Sequence, residues 1–167
     1  MKNVIRLFAV ACFALGMSGV DAAQGFNSKN VYAGAGLGYN SASGLDSAIG
    51  YQFFGGYTFG EVQPRLNLDA EVGYMDSGNM KVRSCAPIIG CPEGRAKGLW
   101  ATGVARYSLS PRLELLGRAG FDFGDDDGFM FGLGLGFPMG KELSLRGELV
   151  ERDHIESLQF NVVFRFQ

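Results

Sequence analysis

The chain closes on SLQFNVVFRFQ, Ser157 to Gln167, in which every second residue from Leu158 to Phe166 is apolar. Three of the four residues between them are polar. A period of two places the two sets on opposite faces of a β-strand. The stretch therefore predicts a final strand with one apolar face and one polar face.

Seven further segments repeat this alternation, and each is about 9–12 residues long, the length that a tilted strand needs to cross a bilayer. They predict an all-β protein, an eight-stranded antiparallel up-and-down transmembrane β-barrel. The segment at 99–109 fits least well, because Trp100 and Val104 fall on its polar face. The seven segments are residues 31–39, 48–59, 65–75, 99–109, 112–123, 129–137 and 143–151.

The connections alternate between short turns, such as SP at 110–111, and longer loops, the longest of which runs from 76 to 98. Short turns on one side and longer loops on the other are typical of outer-membrane barrels. We expect both termini on the periplasmic side and the long loop outside the cell.

Alternation alone does not say which face of the barrel points outward. A soluble barrel turns its apolar face inward around a ligand, whereas a membrane barrel turns it toward lipid. A solvated strand surface normally carries lysine, yet the lysines beyond residue 23 all fall outside the predicted strands. This favours the membrane barrel, with a soluble secreted barrel that binds an apolar ligand as the alternative. The lysines are Lys29, Lys81, Lys97 and Lys141.

The polar faces carry acids and arginines in nearly equal number, which we expect to form a charged network in the barrel interior. Buried charges must pair, because an unpaired one costs several kcal/mol, of order 3–5. The predicted members are Asp69, Glu71, Glu114, Asp122 and Glu148, with Arg106, Arg118, Arg146 and Arg165.

The first 22 residues are predicted to be a secretory signal peptide. Lys2 and Arg6 precede an apolar run over 7–17, and small residues follow it. Cleavage is expected near Ala22 or Ala23, which leaves a barrel domain over 26–167. The predicted destination is the outer membrane of a Gram-negative cell, after secretion through the inner membrane.

Beyond the signal only two cysteines remain, Cys85 and Cys91, in CAPIIGC. A secreted chain meets oxidising surroundings, so we expect them to form a disulfide. Basic residues surround this segment and predict an extracellular binding loop that meets lipopolysaccharide phosphates or a host surface ligand. They are Lys81, Arg83, Arg95 and Lys97.

Catalytic chemistry is not indicated. A formal net charge of −2 offers no basic footprint for nucleic acid. The single histidine, His154, lies so close in sequence to Glu156 and Ser157 that the three are not expected to form a relay. GDDDG at 124–128 lacks the alternate spacing of a calcium loop. We predict no enzyme, metal or cofactor, and keep a barrel enzyme that modifies lipid A as a less favoured alternative.

Three stretches carry a family resemblance: LDAEVGYMDSG at 68–78, LSLRGELVERDH at 143–154 and FNVVFRFQ at 160–167. The sequence resembles the small outer-membrane β-barrels of the OmpA transmembrane domain and OmpX type. The resemblance implies that the barrel-assembly machinery reads Phe164 and Phe166, and that interior acid–arginine pairs plug the lumen or gate a small pore. We expect a monomer in outer-membrane lipid and lipopolysaccharide, with a structural, adhesive or surface-interaction role.

Overall fold

A computed structural model describes residues 27–82 and 93–166. These residues form a closed barrel of eight antiparallel strands with a short hairpin beside it. The predicted signal peptide, the predicted Cys85–Cys91 disulfide and Arg83 lie outside the described residues, as does Gln167.

Each barrel strand pairs with the next barrel strand along the chain, and the last strand closes on the first. A two-stranded hairpin lies between the third and fourth barrel strands in sequence. The predicted fold is thereby confirmed. The barrel strands are β1 (Val31–Ala42), β2 (Ala48–Gln63), β3 (Leu66–Asp76), β6 (Lys97–Ser110), β7 (Leu113–Asp122), β8 (Gly128–Met139), β9 (Leu143–Glu151) and β10 (Ile155–Arg165). The hairpin strands are β4 (Met80–Lys81) and β5 (Glu93–Gly94), and the 3₁₀ turn η1 (Ser28–Asn30) precedes β1.

The two ends of the barrel differ. One end, which we name the turn end, holds η1, the end of β10 and the turns at 64–65, 111–112 and 140–142. In the last of these turns Gly140 has a φ of +90°, a backbone conformation that favours glycine. The opposite end, the loop end, holds the segments 43–47, 77–96, 123–127 and 152–154.

The apolar faces of the strands point outward. Leu133 is 69% exposed and Phe160 63%, whereas the inward residue Val163 on β10 is 0% exposed. An apolar outer surface around a polar interior is the arrangement of a barrel in lipid. The alternative, a soluble barrel with an apolar lumen, is therefore wrong. No helix in the described ranges is long and apolar enough to cross a membrane.

Trp100 and Val104, the two residues that fitted the alternation least well, fill the interior at 1% exposure each. Trp100 meets Phe54, with ring centroids 5.8 Å apart. Both rings lie over glycines: a Cβ built at Gly73 would be 2.6 Å from the Trp100 ring, and one at Gly34 would be 2.3 Å from the Phe54 ring. Inward glycines thus provide the space that these large side chains fill.

The loop boundaries differ from prediction at the loop end. Glu156 and Ser157 belong to β10, which starts at Ile155, although the sequence analysis placed them in a loop. Lys97 opens β6, and Lys81 belongs to β4 inside the long loop. The strands extend beyond the segments of alternating sequence, because the backbone hydrogen bonds of a sheet do not require an apolar face.

Candidate functional site

Glu71 lies at the centre of the charged network in the barrel interior. It is 1% exposed and accepts hydrogen bonds from the Tyr32 hydroxyl at 2.7 Å and from Nη1 of Arg146 at 2.5 Å. Nη2 of Arg118 donates to its second oxygen at 3.1 Å. Two cations and a phenol thus share one buried carboxylate, which is the arrangement that makes a buried charge tolerable.

The network continues through Arg118, near the middle of β7. Its Nη2 also lies 2.8 Å from an oxygen of Glu148. Glu148 accepts from the side-chain amide of Asn161 at 3.1 Å, and Asn161 accepts from Gln52 at 2.7 Å. Side chains from β2, β3, β7, β9 and β10 are therefore tied together across the lumen.

Toward the turn end, Arg106 holds a second group of acids. Nε and Nη2 of Arg106 donate to the two oxygens of Asp69 at 2.5 and 3.1 Å, and Nη1 donates to Glu114 at 3.1 Å. The Tyr32 hydroxyl lies 3.1 Å from Asp69 and so connects this group to Glu71. The guanidinium of Arg165 stacks over the Tyr32 ring at 5.0 Å.

Near the loop end, Asp122 pairs with an arginine that the sequence analysis did not identify. Nε of Arg152 donates to Asp122 at 3.0 Å, and its Nη1 donates to Ser157 at 3.2 Å. Ser157 in turn donates to Asn40 at 2.5 Å. Arg152 directly follows β9, in a segment that the sequence pattern predicts to be a loop. With it, five interior acids face five arginines.

Aromatic rings cover the two central arginines. Arg118 lies 5.4 Å from the centre of the Trp100 ring, and Arg146 lies 5.4 Å from Tyr32 and 6.0 Å from Phe54. A cation over a ring face is stabilised, the more so when it is desolvated. The sequence analysis places Trp100 on the polar face of its segment but does not identify Tyr32 and Phe54, because it assigns polar residues and glycine to the lumen, although the alternation places both rings there.

The long loop is anchored by Arg95. Its Nε donates to Asp76 at 2.8 Å, and its Nη2 contacts the second carboxylate oxygen. This hydrogen bond and the charge of Asp76 raise the pKa of Arg95. The Ala96 amide also donates to Ser77 at 2.9 Å. Of the predicted basic loop residues, Arg95 is thus engaged within the protein, and Lys81 and Lys97 are exposed.

His154 and Ser157 differ in burial and in the side chains that they contact. Nδ1 of His154 lies 3.0 Å from Asp126, and the side chain is 78% exposed. Ser157 is 3% exposed and contacts Asn40 and Arg152 instead. No relay of Ser, His and carboxylate forms at this place. In the described ranges no group of three or more His, Cys, Asp or Glu side chains is arranged to hold a metal ion.

Phe164 and Phe166, the predicted assembly signal, lie on the outer surface beside the closing seam. They are 44% and 46% exposed, and their rings meet edge to face with centroids 5.5 Å apart. The backbone amide of Phe166 donates to Val31 on β1. Both rings therefore point toward lipid at the turn end.

Residues 9–166 match the family described as Outer membrane protein beta-barrel domain. The chain belongs to this family. A search of curated protein sequences found no significant match.

The chain is also similar to solved barrels, at identities that show the fold alone. A designed transmembrane β-barrel is 20% identical, with a TM-score of 0.56 and coverage of 84% of this chain and 98% of that one. The Yersinia pestis attachment invasion locus protein, Ail, in a nanodisc is 12% identical, with a TM-score of 0.54 and coverage of 81% and 99%. The outer-membrane enzyme PagL is 12% identical, with a TM-score of 0.51 and coverage of 81% and 99%.

Proposed function

We propose that this protein is a filled outer-membrane barrel with a structural and surface-interaction role, which conducts at most small ions through a closed network. The observation that carries this proposal is the cross-linked interior. Six acid–arginine ion pairs of the described residues and a cluster of aromatic and aliphatic side chains occupy the lumen, and Tyr32, Trp100 and Met130 are each at most 1% exposed. A filled interior is what an eight-stranded barrel of this size accommodates.

The proposed orientation places the turn end in the periplasm and the loop end outside the cell. Outer-membrane barrels have short periplasmic turns and longer extracellular loops. The four loop-end segments include the longest connection of the chain, at 77–96. The loops are then the part of the protein that a surface ligand meets.

We expect the wild-type barrel in planar bilayers to show no sustained open state. Removing both lumen rings in Phe54→Ala/Trp100→Ala should produce conductance steps, because the space over Gly34 and Gly73 then fills with water. The measurement is single-channel recording of the folded protein.

The matched control removes two outward side chains of the same strands. Phe53 and Leu99 are 56% and 64% exposed, so Phe53→Ala/Leu99→Ala should stay closed. Wild-type protein with stable, porin-sized conductance would refute the filled barrel.

The charge of the loop end indicates which partners it suits. Asp76 and Asp122 are paired with Arg95 and Arg152. By formal charge alone, the other described side chains at this end are seven acids and two lysines, Lys81 and Lys97, a net of −5, and among the acids Asp46, Asp126 and Asp127 also interact within the protein. The acids are Asp46, Asp125, Asp126, Asp127, Glu151, Asp153 and Glu156. A crystal structure of Ail holds the heparin analogue sucrose octasulfate, whereas this surface favours a cationic partner.

Folded protein in nanodiscs is therefore expected to be retained on immobilised poly-lysine and not on heparin at moderate salt. Neutralising two exposed loop-end acids, Asp125→Asn/Asp153→Asn, should weaken retention, while Glu61→Gln/Glu142→Gln at the turn end should not. Retention on heparin instead would support the basic-loop prediction and contradict the acidic surface.

We propose that the barrel is not an enzyme, although the PagL fold is shared. His154 has Asp126 as its partner, and the nearest serine in sequence is buried and hydrogen-bonded elsewhere. His154→Ala is expected to leave the lipid A of expressing cells unchanged by mass spectrometry. A modification that appears with wild type and disappears in this variant would establish an enzyme.

A further inference from the structure

The turn end carries four bases in four different connections around the barrel. Lys29 lies in η1, which precedes β1 and contacts β2, and Lys141 lies in the turn between β8 and β9. Arg112 lies in the turn between β7 and β6, and Arg65 in the turn between β3 and β2. The order of strands around the barrel is β1, β10, β9, β8, β7, β6, β3, β2. The four bases therefore form a ring, which we name the basic ring.

All four side chains of the basic ring are exposed. None of the four side chains forms an ion pair or a hydrogen bond with a described residue. The hydrogen bonds of these residues involve backbone atoms, such as Arg65 N, which donates to Glu61 at 2.7 Å, and the Arg65 carbonyl, which accepts from Ser108 N at 2.8 Å. Two acids, Glu61 and Glu142, lie at this end, so four bases against two acids leave a net of +2. The cations are available to an outside partner.

Aromatic side chains stand beside the basic ring on the outer surface. Tyr57 and Phe59 meet with ring centroids 5.5 Å apart near the end of β2, and Phe164 and Phe166 do the same at the end of β10. Aromatic girdles mark the depth of the lipid headgroups. Because long basic side chains extend toward this layer, the basic ring lies at headgroup depth.

The opposite end has the opposite charge, a net of −5 over its described side chains against +2 here. Anionic lipids attract clustered bases close to the membrane surface. We propose that the basic ring binds the headgroups of anionic phospholipids in the leaflet at the turn end, and so fixes the depth of the barrel. The assignment to the periplasmic leaflet rests on the proposed orientation, in which the turn end lies in the periplasm. The binding of anionic headgroups by the basic ring does not depend on that orientation.

The test measures lipid selectivity of the full folded barrel in nanodiscs of phosphatidylcholine with about one quarter phosphatidylglycerol. Spin-labelled phosphatidylglycerol and phosphatidylcholine report the relative association of each lipid with the protein. Wild type should prefer phosphatidylglycerol at least about threefold at low salt, and the preference should fall as salt screens the ring. The variant Lys29→Gln/Arg65→Gln/Arg112→Gln/Lys141→Gln should show none.

The matched control is Lys81→Gln/Lys97→Gln, which removes both exposed lysines of the acidic loop end and should keep the full preference. Two half-ring variants, Lys29→Gln/Lys141→Gln and Arg65→Gln/Arg112→Gln, should each retain part of it. They keep the test decisive if the quadruple variant does not fold. Equal association of the two lipids with wild type, or loss of the preference in the loop-end control, would overturn the proposal.

Inorganic phosphate at millimolar concentration should not compete, because the proposed partner is a headgroup held in the bilayer. Pull-down by purified peptidoglycan that depends on the same four bases, without a lipid preference, would assign the basic ring to the wall polymer and contradict the proposal. These lipid-binding outcomes do not depend on conductance. A negative result for the basic ring would therefore not contradict the proposal that the barrel is filled.

Discussion

Glu71→Ala is expected to destabilise the barrel by about 3–5 kcal/mol, because it leaves buried cations without their carboxylate. Arg146 loses its only ion pair among the described residues, and the Tyr32 hydroxyl loses its closest acceptor. Arg118 keeps Glu148. Urea unfolding in phospholipid vesicles measures the change, with the single tryptophan, Trp100, as the fluorescent probe inside the lumen.

Glu114→Ala is the matched control on the same network. Arg106 retains both hydrogen bonds to Asp69 when Glu114 is removed, so we expect a loss of only about 1–2 kcal/mol. A double variant sharpens the test: Glu71→Ala/Arg146→Met removes the orphaned cation and should recover part of the loss. If Glu71→Ala proved no worse than Glu114→Ala, Glu71 would not be the centre of the network.

Gly120→Ala is expected to prevent stable closure of the barrel, with a loss of more than about 3 kcal/mol. A Cβ at this inward position of β7 would lie 2.0 Å from the carbonyl oxygen of Ala101 and 2.6 Å from Cα of Thr102. Both are backbone atoms of β6, so relief requires the neighbouring strand to move. The effect is measured as the folded fraction after refolding into lipid, which is the fraction of the protein that runs as a separate folded band on a detergent gel and shifts to the unfolded position on boiling.

Gly117→Ala on the same strand is its control. This glycine faces outward, and its Cβ would meet only a methyl carbon of Leu133 at 3.9 Å. We expect a change in the free energy of unfolding within about 0.5 kcal/mol, because the added methyl group meets no backbone atom. Equal behaviour of the two variants would mean that inward glycines do not limit the packing between β6 and β7.

Period-two alternation predicted the strands of the barrel and their two faces, and the absence of lysine from these strands favoured the apolar face as the one that meets lipid. SLQFNVVFRFQ shows how directly this works. Phe160 and Phe164 point outward, and Asn161 and Val163 point inward. The positions of the charged residues followed from the same parity. Eight of the nine predicted network residues are buried, and Arg165 is half-buried over the Tyr32 ring, without an ion pair among the described residues.

Partners within the network could not be predicted from the sequence. Arg146 and Glu71 are 75 residues apart and meet across the lumen, and their contact depends on strand tilt and register, which alternation leaves undetermined. Arg152 was missed for a related reason. Its inward position depends on where β9 ends, and boundaries are set by pairing with the neighbouring strand.

The sequence by itself determined the class of fold, the direction of each strand face and the near balance of interior charge, because these depend on local periodicity and composition. Only the tertiary structure decided that Glu71 serves two arginines, that Trp100 and Phe54 lie over inward glycines, and that four turn-end bases form a ring. Each of these features depends on which strands are neighbours in the barrel and on the stagger between them. The stagger is fixed when the closing strand Ile155–Arg165 pairs with Val31–Ala42.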